Sequence, residues 1–421
     1  MSVRSAPLDV ERIRADFPIL ERRVGGDEGN GDGKQVVYLD NAATTQTPTP
    51  VIDAISDYYR RYNANVHRGI HHLSQEASIA YEDAHDRLAE FVGASGEREE
   101  LIFTKNTTES ENLVAYAWGT NELGPGDEVV LTEMEHHSSF VTWQQIAKKT
   151  GATVRYVRVT EEGRLDMEHA RELIGEDTKL VSVVHVSNTL GTRNPVRELA
   201  DLAHENDALI FVDGAQAVPN QPVDVEAIDA DFYAFSGHKM AGPTGIGCLY
   251  GKKHLLSEME PFLYGGEMIR TVTFEDASWN DLPWKFEAGT PPISEGIALA
   301  TAADYLDEIG MDRIRRHEEW LTEYAIERFE EFDDVEIYGP TDPTERGGLV
   351  AFNLEGVHAH DLASIMNDHA VAIRAGHHCT QPLHERLGVA ATARASFYLY
   401  NTRAEIDALL EAVHDARELF A

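Results

Sequence analysis

The chain has 421 residues, a length that suits one large or two ordinary globular domains. It carries 73 acidic residues against 36 Lys and Arg, a formal net charge of -37, which excludes binding to nucleic acid through clustered cations. No apolar run approaches the roughly 18 residues of a membrane-spanning helix, and the N-terminal residues lack the apolar segment of a secretory signal. We therefore expect a folded, cytoplasmic protein.

The acidic residues are spread along the whole chain and are not gathered in a tail. Concentrated salt screens the repulsion within such a surface, so the composition indicates a protein from a high-salt cytosol. An acidic surface that binds a partner is the alternative interpretation.

The N-terminal segment, residues 1–35, contains a Gly- and Asp-rich insert at residues 25–33. We interpret the insert as a flexible surface loop because it has no apolar side chain to bury. We expect the segment as a whole to pack with a small C-terminal domain.

Residues 36–295 show the pattern of an α/β domain. Helical spacing at residues 112–118 and 196–204 separates short β-branched runs, and this alternation predicts a mainly parallel seven-stranded sheet with helices on both faces. Ligands of such sheets bind at the carboxyl ends of the strands. The predicted strands are Leu101 to Thr104, Val129 to Thr132, Val154 to Val159, Leu180 to Val186, Ala208 to Val212, Asp231 to Phe235 and Gly247 to Tyr250.

Residues 296–421 are predicted to form a smaller α+β domain, because the regular strand–helix alternation ends there. We expect a long helical stretch from Glu295 to Phe332 and a final helix from Arg403. Between them, the sequence predicts strands at residues 335–338, 349–353, 371–374 and 395–398, and a short helix near residues 361–368.

The most informative segment follows the strand that ends at Phe235. Lys239 lies there in a turn rich in Gly and hydroxyl groups, where a lysine with a lowered pKa can form a Schiff base with an aldehyde. Ser236 and His238 in the same turn are candidate phosphate ligands. An ordinary exposed lysine is the alternative for this residue taken alone.

Other polar groups follow neighbouring strands. Asp213 ends a strand, and the protonated pyridine nitrogen of pyridoxal phosphate would give this acid a partner; its alternative role is to cap the next turn. Thr107 and Thr108 begin a helix, which indicates a phosphate site or a simple N-cap. Taken together, the polar strand ends predict one pocket.

Two further residues have open interpretations. His136 could stack on a cofactor ring and move protons; a metal site with its neighbour His137 is not expected, because adjacent side chains diverge and no ligand cluster completes such a site. Asn188 could bind a substrate carboxylate or the ring oxygen, or it could serve only in a turn.

The two cysteines have different surroundings. Cys248 lies in an apolar strand and is predicted to be a buried, inert thiol. Cys379 lies in a loop with Arg374, His377 and His378, and these side chains could supply the cations that favour a reactive thiolate.

These residues together resemble the fold-type I pyridoxal-phosphate enzymes of the class V aminotransferase family, and specifically the cysteine desulfurases of the SufS type. The resemblance extends over nearly the whole chain, from residues 13–20 and 38–44, through residues 65–71, to residues 394–401. The departures are the acidic insert at residues 25–33 and Thr380, which follows the cysteine where Ala is usual.

The resemblance implies a role for each matching residue. Lys239 would bind pyridoxal 5'-phosphate covalently, Asp213 would pair with the ring nitrogen, Gln216 would bind the ring hydroxyl and His136 would stack on the ring. The residues implied for the phosphate are Thr107, Thr108, Ser236, His238 and, from a neighbouring subunit of a homodimer, Thr290. The residues implied for the substrate are Asn188, Arg394, Arg374 and His67, with Cys379 as the cysteine that forms the persulfide.

The implied reaction converts L-cysteine to L-alanine and leaves a persulfide on Cys379, which supplies sulfur for iron–sulfur cluster assembly. A selenocysteine lyase, or an aminotransferase or epimerase in which Cys379 is incidental, are the alternatives. The sulfur acceptor is expected to be of the SufU or SufE type. For a zinc-bearing SufU-type acceptor, the resemblance implies that His360 binds the acceptor's zinc; the alternative is a solvated histidine before a helix capped by Asp361.

Overall fold

A computed structural model describes residues 6–25, 33–95 and 98–420. The central part of the predicted insert, residues 26–32, lies outside the described residues. Within the described ranges, no helix is long and apolar enough to cross a membrane.

Helices surround the sheets along the whole chain. Their bounds are α1 Val10–Arg14, α2 Thr49–Asp57, α3 His72–Phe91, α4 Thr107–Val114, α5 Thr120–Glu122, α6 His137–Thr150, α7 Met167–Leu173, α8 Val196–His204, α9 Val225–Ile228, α10 Lys253–Glu258, α11 Ile293–Ile309, α12 Met311–Phe329, α13 Ala359–Asp368, α14 Gln381–Leu387 and α15 Arg403–Phe420. Helix α8 shows why these segments fold as they do. Its buried residues Val196, Leu199, Ala200 and Ala203 recur at helical spacing and form one apolar face.

The strands are short. Their bounds are β1 Arg23–Val24, β2 Lys34–Gln35, β3 Val37–Tyr38, β4 Leu101–Thr104, β5 Glu128–Thr132, β6 Thr153–Val157, β7 Thr178–Val184, β8 Leu209–Asp213, β9 Phe232–Ser236, β10 Gly247–Gly251, β11 Ile269–Val272, β12 Ala277–Trp279, β13 Val335–Tyr338, β14 Leu349–Leu354, β15 Val371–Ala372, β16 Arg374–Gly376 and β17 Thr392–Ser396.

The central sheet has seven strands in the order β4-β10-β9-β8-β7-β5-β6. Strand β10 runs antiparallel to both of its neighbours, and the other pairings are parallel. All seven predicted strands are present, with bounds that differ from the prediction by at most two residues. The predicted fold class is therefore confirmed.

The C-terminal residues form a four-stranded antiparallel sheet in the order β13-β14-β17-β16. Its own apolar cluster includes Phe329, Phe352, Leu362 and Leu409, so helices α12, α13 and α15 pack against this sheet. The cysteine loop connects β16 to α14 and thus leaves this smaller sheet at its edge.

The N-terminal segment contacts the C-terminal part of the chain. Arg14 donates a hydrogen bond to the carboxylate of Glu405 at 2.9 Å, and the ring of Phe17 lies 4.8 Å from that of Tyr400. Strand β3, which follows this segment, pairs in parallel with β15.

Three local details of the C-terminal part differ from the sequence prediction. The expected helical stretch from Glu295 to Phe332 is present but is divided into two helices, because Gly310 adopts φ +96 between α11 and α12, a conformation outside the helical range. The expected strand at residues 371–374 is divided between β15 and β16, which belong to different sheets. Helix α13 begins earlier than expected and is capped by the side chain of His358, so Asp361 lies in its first turn.

Candidate active site

A cavity of about 270 Å³ opens at the carboxyl ends of the central strands. Twelve predicted site residues line it: Thr107, Thr108, His136, Asn188, Asp213, Gln216, Ser236, His238, Lys239, Arg374, Cys379 and Arg394. The two sheets meet at this cavity, because the first nine residues come from strand ends of the central sheet and from the turns and helices that follow them, and the last three come from the C-terminal unit.

Lys239 and Asp213 form the charged centre of the cavity. Burial lowers the pKa of the Lys239 amine, and the Asp213 carboxylate opposes that shift. Burial raises the pKa of Asp213, while Lys239 and a 2.9 Å hydrogen bond from the Ala215 backbone N–H lower it. A buried lysine of lowered pKa releases its proton more readily than an exposed one, so it is suited to act as a nucleophile and a base.

A cluster of hydroxyl groups lies at the N-terminus of α4. The backbone N–H of Thr107 donates to Ser236 Oγ at 2.9 Å, and the two side-chain hydroxyls are 2.8 Å apart. The side chain of Asn106 caps the helix by accepting from Glu109 N–H. A helix N-terminus with hydroxyl groups of this kind suits an anion such as a phosphate.

His136 is a neutral imidazole. Burial, with a contribution from Lys239, lowers its pKa to about 3. Its Nδ1 atom accepts a hydrogen bond from the backbone N–H of Ser138 at 3.1 Å, so the ring proton resides on Nε2. The ring therefore presents an apolar face and one N–H donor.

Asn188 links the central sheet to the cysteine loop. Its Nδ2 donates to the carbonyl of His378 at 2.6 Å, and its Oδ1 is buried without a hydrogen-bond partner in the described structure. An unpaired buried acceptor is unfavourable, so this oxygen marks a position where a ligand donor would be stabilised.

Arg394 and Arg374 share the carboxylate of Asp40. Arg394 is buried and donates to Asn188 O at 2.7 Å and to Asp40 Oδ1 at 3.2 Å. Arg374 donates to Asp40 through Nε and Nη2. Burial lowers the pKa of Arg394 to about 10, which leaves it charged at neutral pH. The two guanidinium groups make this side of the cavity suited to a carboxylate.

Cys379 is an exposed free thiol, whereas Cys248 is buried in β10, as the sequence predicts. The thiol lies close enough to Lys239, Arg374 and Arg394 that its negative form would interact with all three cations. His378 is not one of these cations: burial lowers its pKa to about 2, and its Nε2 bonds to Thr392. The prediction that His378 supplies a cation to the thiol is therefore wrong, because its ring is buried against Thr392.

Three predicted residues lie outside the cavity of this chain. Thr290 is exposed and lines a separate groove of about 540 Å³. His67 packs against Trp284 with ring centroids 4.2 Å apart and ring planes tilted by 56°. His360 is exposed on α13. A Cβ atom added to Gly376, at the end of β16, would lie 4.0 Å from Cε1 of His360, so the imidazole lies near the start of the cysteine loop.

Sequence reasoning assigned no role to several residues that shape the site. Asp40 lies within residues 38–44, one of the segments that carry the family resemblance, but its two arginine partners are more than 300 positions away. Two buried acids, Glu111 and Glu135, have raised pKa values, chiefly because of burial; that of Glu111 rises to about 8 with a contribution from Asp213. No sequence pattern marks these two.

Across the described ranges, no group of three or more His, Cys, Asp or Glu side chains could hold a metal ion.

The chain is similar to known proteins over nearly its whole length. The profile of the aminotransferase class-V family matches residues 37–409. A protein of Haloferax volcanii named cysteine desulfurase is 71% identical, and the match covers 99% of each chain. A probable cysteine desulfurase of Halobacterium salinarum is 68% identical over 100% of this chain and 99% of its own.

Solved structures agree with these relatives. An apo cysteine desulfurase of Thermococcus onnurineus superposes with a TM-score of 0.91 at 40% identity over 99% of each chain. The Escherichia coli cysteine desulfurase CsdA gives a TM-score of 0.89 at 35% identity and covers 98% of this chain and 99% of that chain.

Proposed function

Because the chain belongs to the aminotransferase class-V family, we propose that it is a pyridoxal-phosphate-dependent cysteine desulfurase that converts L-cysteine to L-alanine. One observation carries the proposal: the buried amine of Lys239 and the exposed thiol of Cys379 line the same cavity, beside two arginine side chains. An aminotransferase has no need of the thiol, whereas a desulfurase needs all three groups.

The cavity fits pyridoxal phosphate. The α4 N-terminus with Thr107, Thr108 and Ser236 suits the phosphate, and the buried acid Asp213 suits a protonated ring nitrogen. Gln216, whose Nε2 donates to Ala42 O at 2.6 Å, is directed toward the same space. The chemistry that the cofactor supplies when bound is an electron sink for bond breaking at the substrate α-carbon.

Residues of the chain perform the remaining tasks. Arg394 holds the substrate carboxylate, with Arg374 adding positive charge. Lys239, whose pKa is lowered by burial, removes and returns protons. The His136 ring lines the cavity and would stack on the bound cofactor; being neutral, it would not repel the positive charge of a protonated pyridine nitrogen.

The sulfur transfer balances without a further reactant. The Cys379 sulfur forms a bond with the substrate sulfur, and the Cβ–S bond of the substrate breaks. The electron pair of that bond remains with Cβ, which receives a proton and becomes the methyl group of alanine. The products are L-alanine and a persulfide on Cys379, the sulfur donor that we propose for iron–sulfur cluster assembly in the cytoplasm.

We propose a homodimer as the active form. The groove of about 540 Å³ is lined by exposed or half-buried apolar groups, among them Tyr59, Leu263 and Pro291, and it contains Thr290. If a second copy of the chain packs on this groove, Thr290 of one subunit would lie within reach of the cavity of the other subunit. His67 packs on Tyr81, which lines the same groove. The same dimer would therefore explain why His67 lies away from the cavity of its own chain.

The sulfur acceptor is proposed to be a zinc-bearing protein of the SufU type. The support is the position of His360, whose exposed imidazole lies beside the cysteine loop and is free to bind a metal on a docked protein. A SufE-type acceptor is the competing proposal, because it needs no such ligand.

The proposed function is tested by supplying the purified protein with pyridoxal phosphate and L-cysteine in molar KCl, and measuring alanine and sulfide with a reducing thiol present. Equal amounts of both products, and their loss in Lys239→Ala, support the proposal. Consumption of a keto acid in step with product would identify an aminotransferase, and much faster turnover of L-selenocysteine would identify a selenocysteine lyase.

A further inference from the structure

The cysteine loop has an unfavourable backbone conformation. His378 and Cys379 adopt φ +49 and φ +60, and both lie in the left-handed region that side chains other than glycine disfavour. Successive residues of this kind persist only where surrounding contacts hold them. The contacts of the loop therefore decide where the Cys379 thiol lies.

The hydroxyl group of Thr380 makes two of these contacts. It donates to the carbonyl of His377 at 2.9 Å and closes the turn that contains the cysteine. It is also 2.8 Å from the hydroxyl of Thr189, which follows strand β7 of the central sheet. Because the single hydroxyl proton of Thr380 is used at His377, Thr189 is the donor in the second contact. Both threonines are fully buried.

Other contacts cross the same boundary but use the loop backbone. Asn188 Nδ2 binds the His378 carbonyl, and the N–H of His137 donates to the Cys379 carbonyl at 2.8 Å. The Thr189–Thr380 contact joins two side chains, so a substitution of either threonine can remove it. Neither threonine lines the cavity, so such a substitution does not alter the cavity lining.

We propose that the Thr189–Thr380 hydroxyl pair positions Cys379 by holding the cysteine loop against the central sheet. Thr380 and Thr189 are positioning residues, since neither lines the cavity. The inference rests on the proposed role of Cys379 as sulfur acceptor. Substrate affinity depends on Arg394 and the thiol attack depends on the loop, so loss of the pair lowers kcat with little change in KM.

The test uses four variants of the pyridoxal-phosphate-loaded protein in molar KCl. Thr380→Val removes both contacts, and Thr189→Val removes only the contact between the loop and the sheet. Thr380→Ser keeps both. Thr322→Val is the matched control, because Thr322 is equally buried and its hydroxyl bonds to a helix carbonyl, that of Glu318, at 2.8 Å.

The first readout is hydrogen–deuterium exchange of the Thr380 amide, which donates to His377 O at 2.8 Å in the closed loop. A neutral buried hydrogen bond shifts an opening equilibrium by about two- to twelvefold. We expect exchange to accelerate by this factor in Thr189→Val, by more in Thr380→Val, and not at all in Thr380→Ser or Thr322→Val. The second readout is kcat and KM for L-cysteine, where the two valine variants lower kcat at nearly constant KM and the serine variant restores it.

Unchanged exchange in both valine variants would show that the pair does not hold the loop. Faster exchange with wild-type kcat would show that the loop is held but that its position does not matter to turnover. Either result overturns the proposal. Because exchange is measured without turnover, it is independent of whether Cys379 accepts sulfur, and failure of the positioning claim is distinguishable from failure of the proposed function.

Discussion

The guanidinium group of Arg374 binds the carboxylate of Asp40 in a two-point ion pair, with Nη2 2.9 Å from Oδ2 and Nε 3.1 Å from Oδ1. The same carboxylate accepts from the buried Arg394 at 3.2 Å. One acid therefore pairs with two cations that reach the cavity from neighbouring strands of the C-terminal sheet, and one net positive charge remains for a substrate carboxylate. The same ion pairs hold both arginine side chains against the turn that follows β3 and carries Asp40.

Asp40→Asn should destabilise the protein. The substitution keeps the shape of the side chain but leaves the buried charge of Arg394 without an acidic partner, a change that typically costs about 3 kcal/mol. The measurement is the free energy of unfolding from denaturant titration in molar KCl. Asp342→Asn is the control, because Asp342 caps an exposed surface turn and should change stability far less. Equal stability of Asp40→Asn and wild type would show that the arginine pair needs no counter-ion.

Glu111→Gln should gain stability relative to wild type as the pH rises from 5 to 8. Burial and the charge of Asp213 raise the pKa of Glu111 from 4.5 to about 8, so the folded protein retains a proton that the unfolded chain releases above about pH 4.5. The stabilisation from this proton is therefore complete below pH 4.5 and is lost as the pH rises toward 8. Glutamine has no such proton, and its amide oxygen can still accept from Trp143 and Ser182.

The difference in unfolding free energy between Glu111→Gln and wild type should change by up to about 1.4 kcal/mol per pH unit in that window. Urea unfolding at pH 5, 6, 7 and 8 measures it. A difference that stays constant over the four pH values would mean that Glu111 is already ionised in the folded protein.

The protein should require salt. At a net charge of -37 the carboxylates repel one another, and the screening length falls from about 30 Å at 0.01 M salt to about 3 Å at 1 M. We expect the melting temperature to rise steeply between dilute buffer and molar KCl. Sorbitol at equal osmolality is the control, because an uncharged solute does not screen. Equal melting temperatures in dilute buffer and in molar KCl would contradict the expectation.

His360→Ala should suppress stimulation by a zinc-bearing acceptor protein and leave the first turnover intact. The imidazole is exposed beside the cysteine loop, but it does not line the cavity. The measurement compares single-turnover alanine formation with steady-state turnover in the presence of the acceptor. His254→Ala, an exposed histidine on α10, is the matched control. Undiminished stimulation of His360→Ala would favour a SufE-type acceptor.

The sequence predicts the central sheet well because six of its seven strands are buried on both faces; only the edge strand β6 alternates between exposed and half-buried residues. Such strands are continuous β-branched and aromatic runs, as in β8 and β9, and the polar residues that follow them mark the cavity. Local pattern is enough to place eight of the twelve cavity residues at these strand ends. The other four, Gln216, Arg374, Cys379 and Arg394, were assigned to the same site only through the family resemblance.

Features that depend on distant pairing could not be predicted in this way. The burial of His378 arises from Thr392 and the rest of the C-terminal sheet, and a loop rich in histidine gives no sign of it. The contact between Thr189 and Thr380 joins residues 191 positions apart. The break at Gly310 was missed because one glycine in an otherwise helical pattern does not by itself end a helix.

The most direct test of the account is to locate the sulfur after a single turnover. The protein, loaded with pyridoxal phosphate, is mixed with substoichiometric L-cysteine, its thiols are alkylated, and the peptides that contain Cys379 and Cys248 are analysed by mass spectrometry. The account predicts one additional sulfur atom on Cys379, none on the buried Cys248, and loss of turnover in Cys379→Ala. Sulfur found on Cys248, or wild-type alanine production by Cys379→Ala, would contradict it.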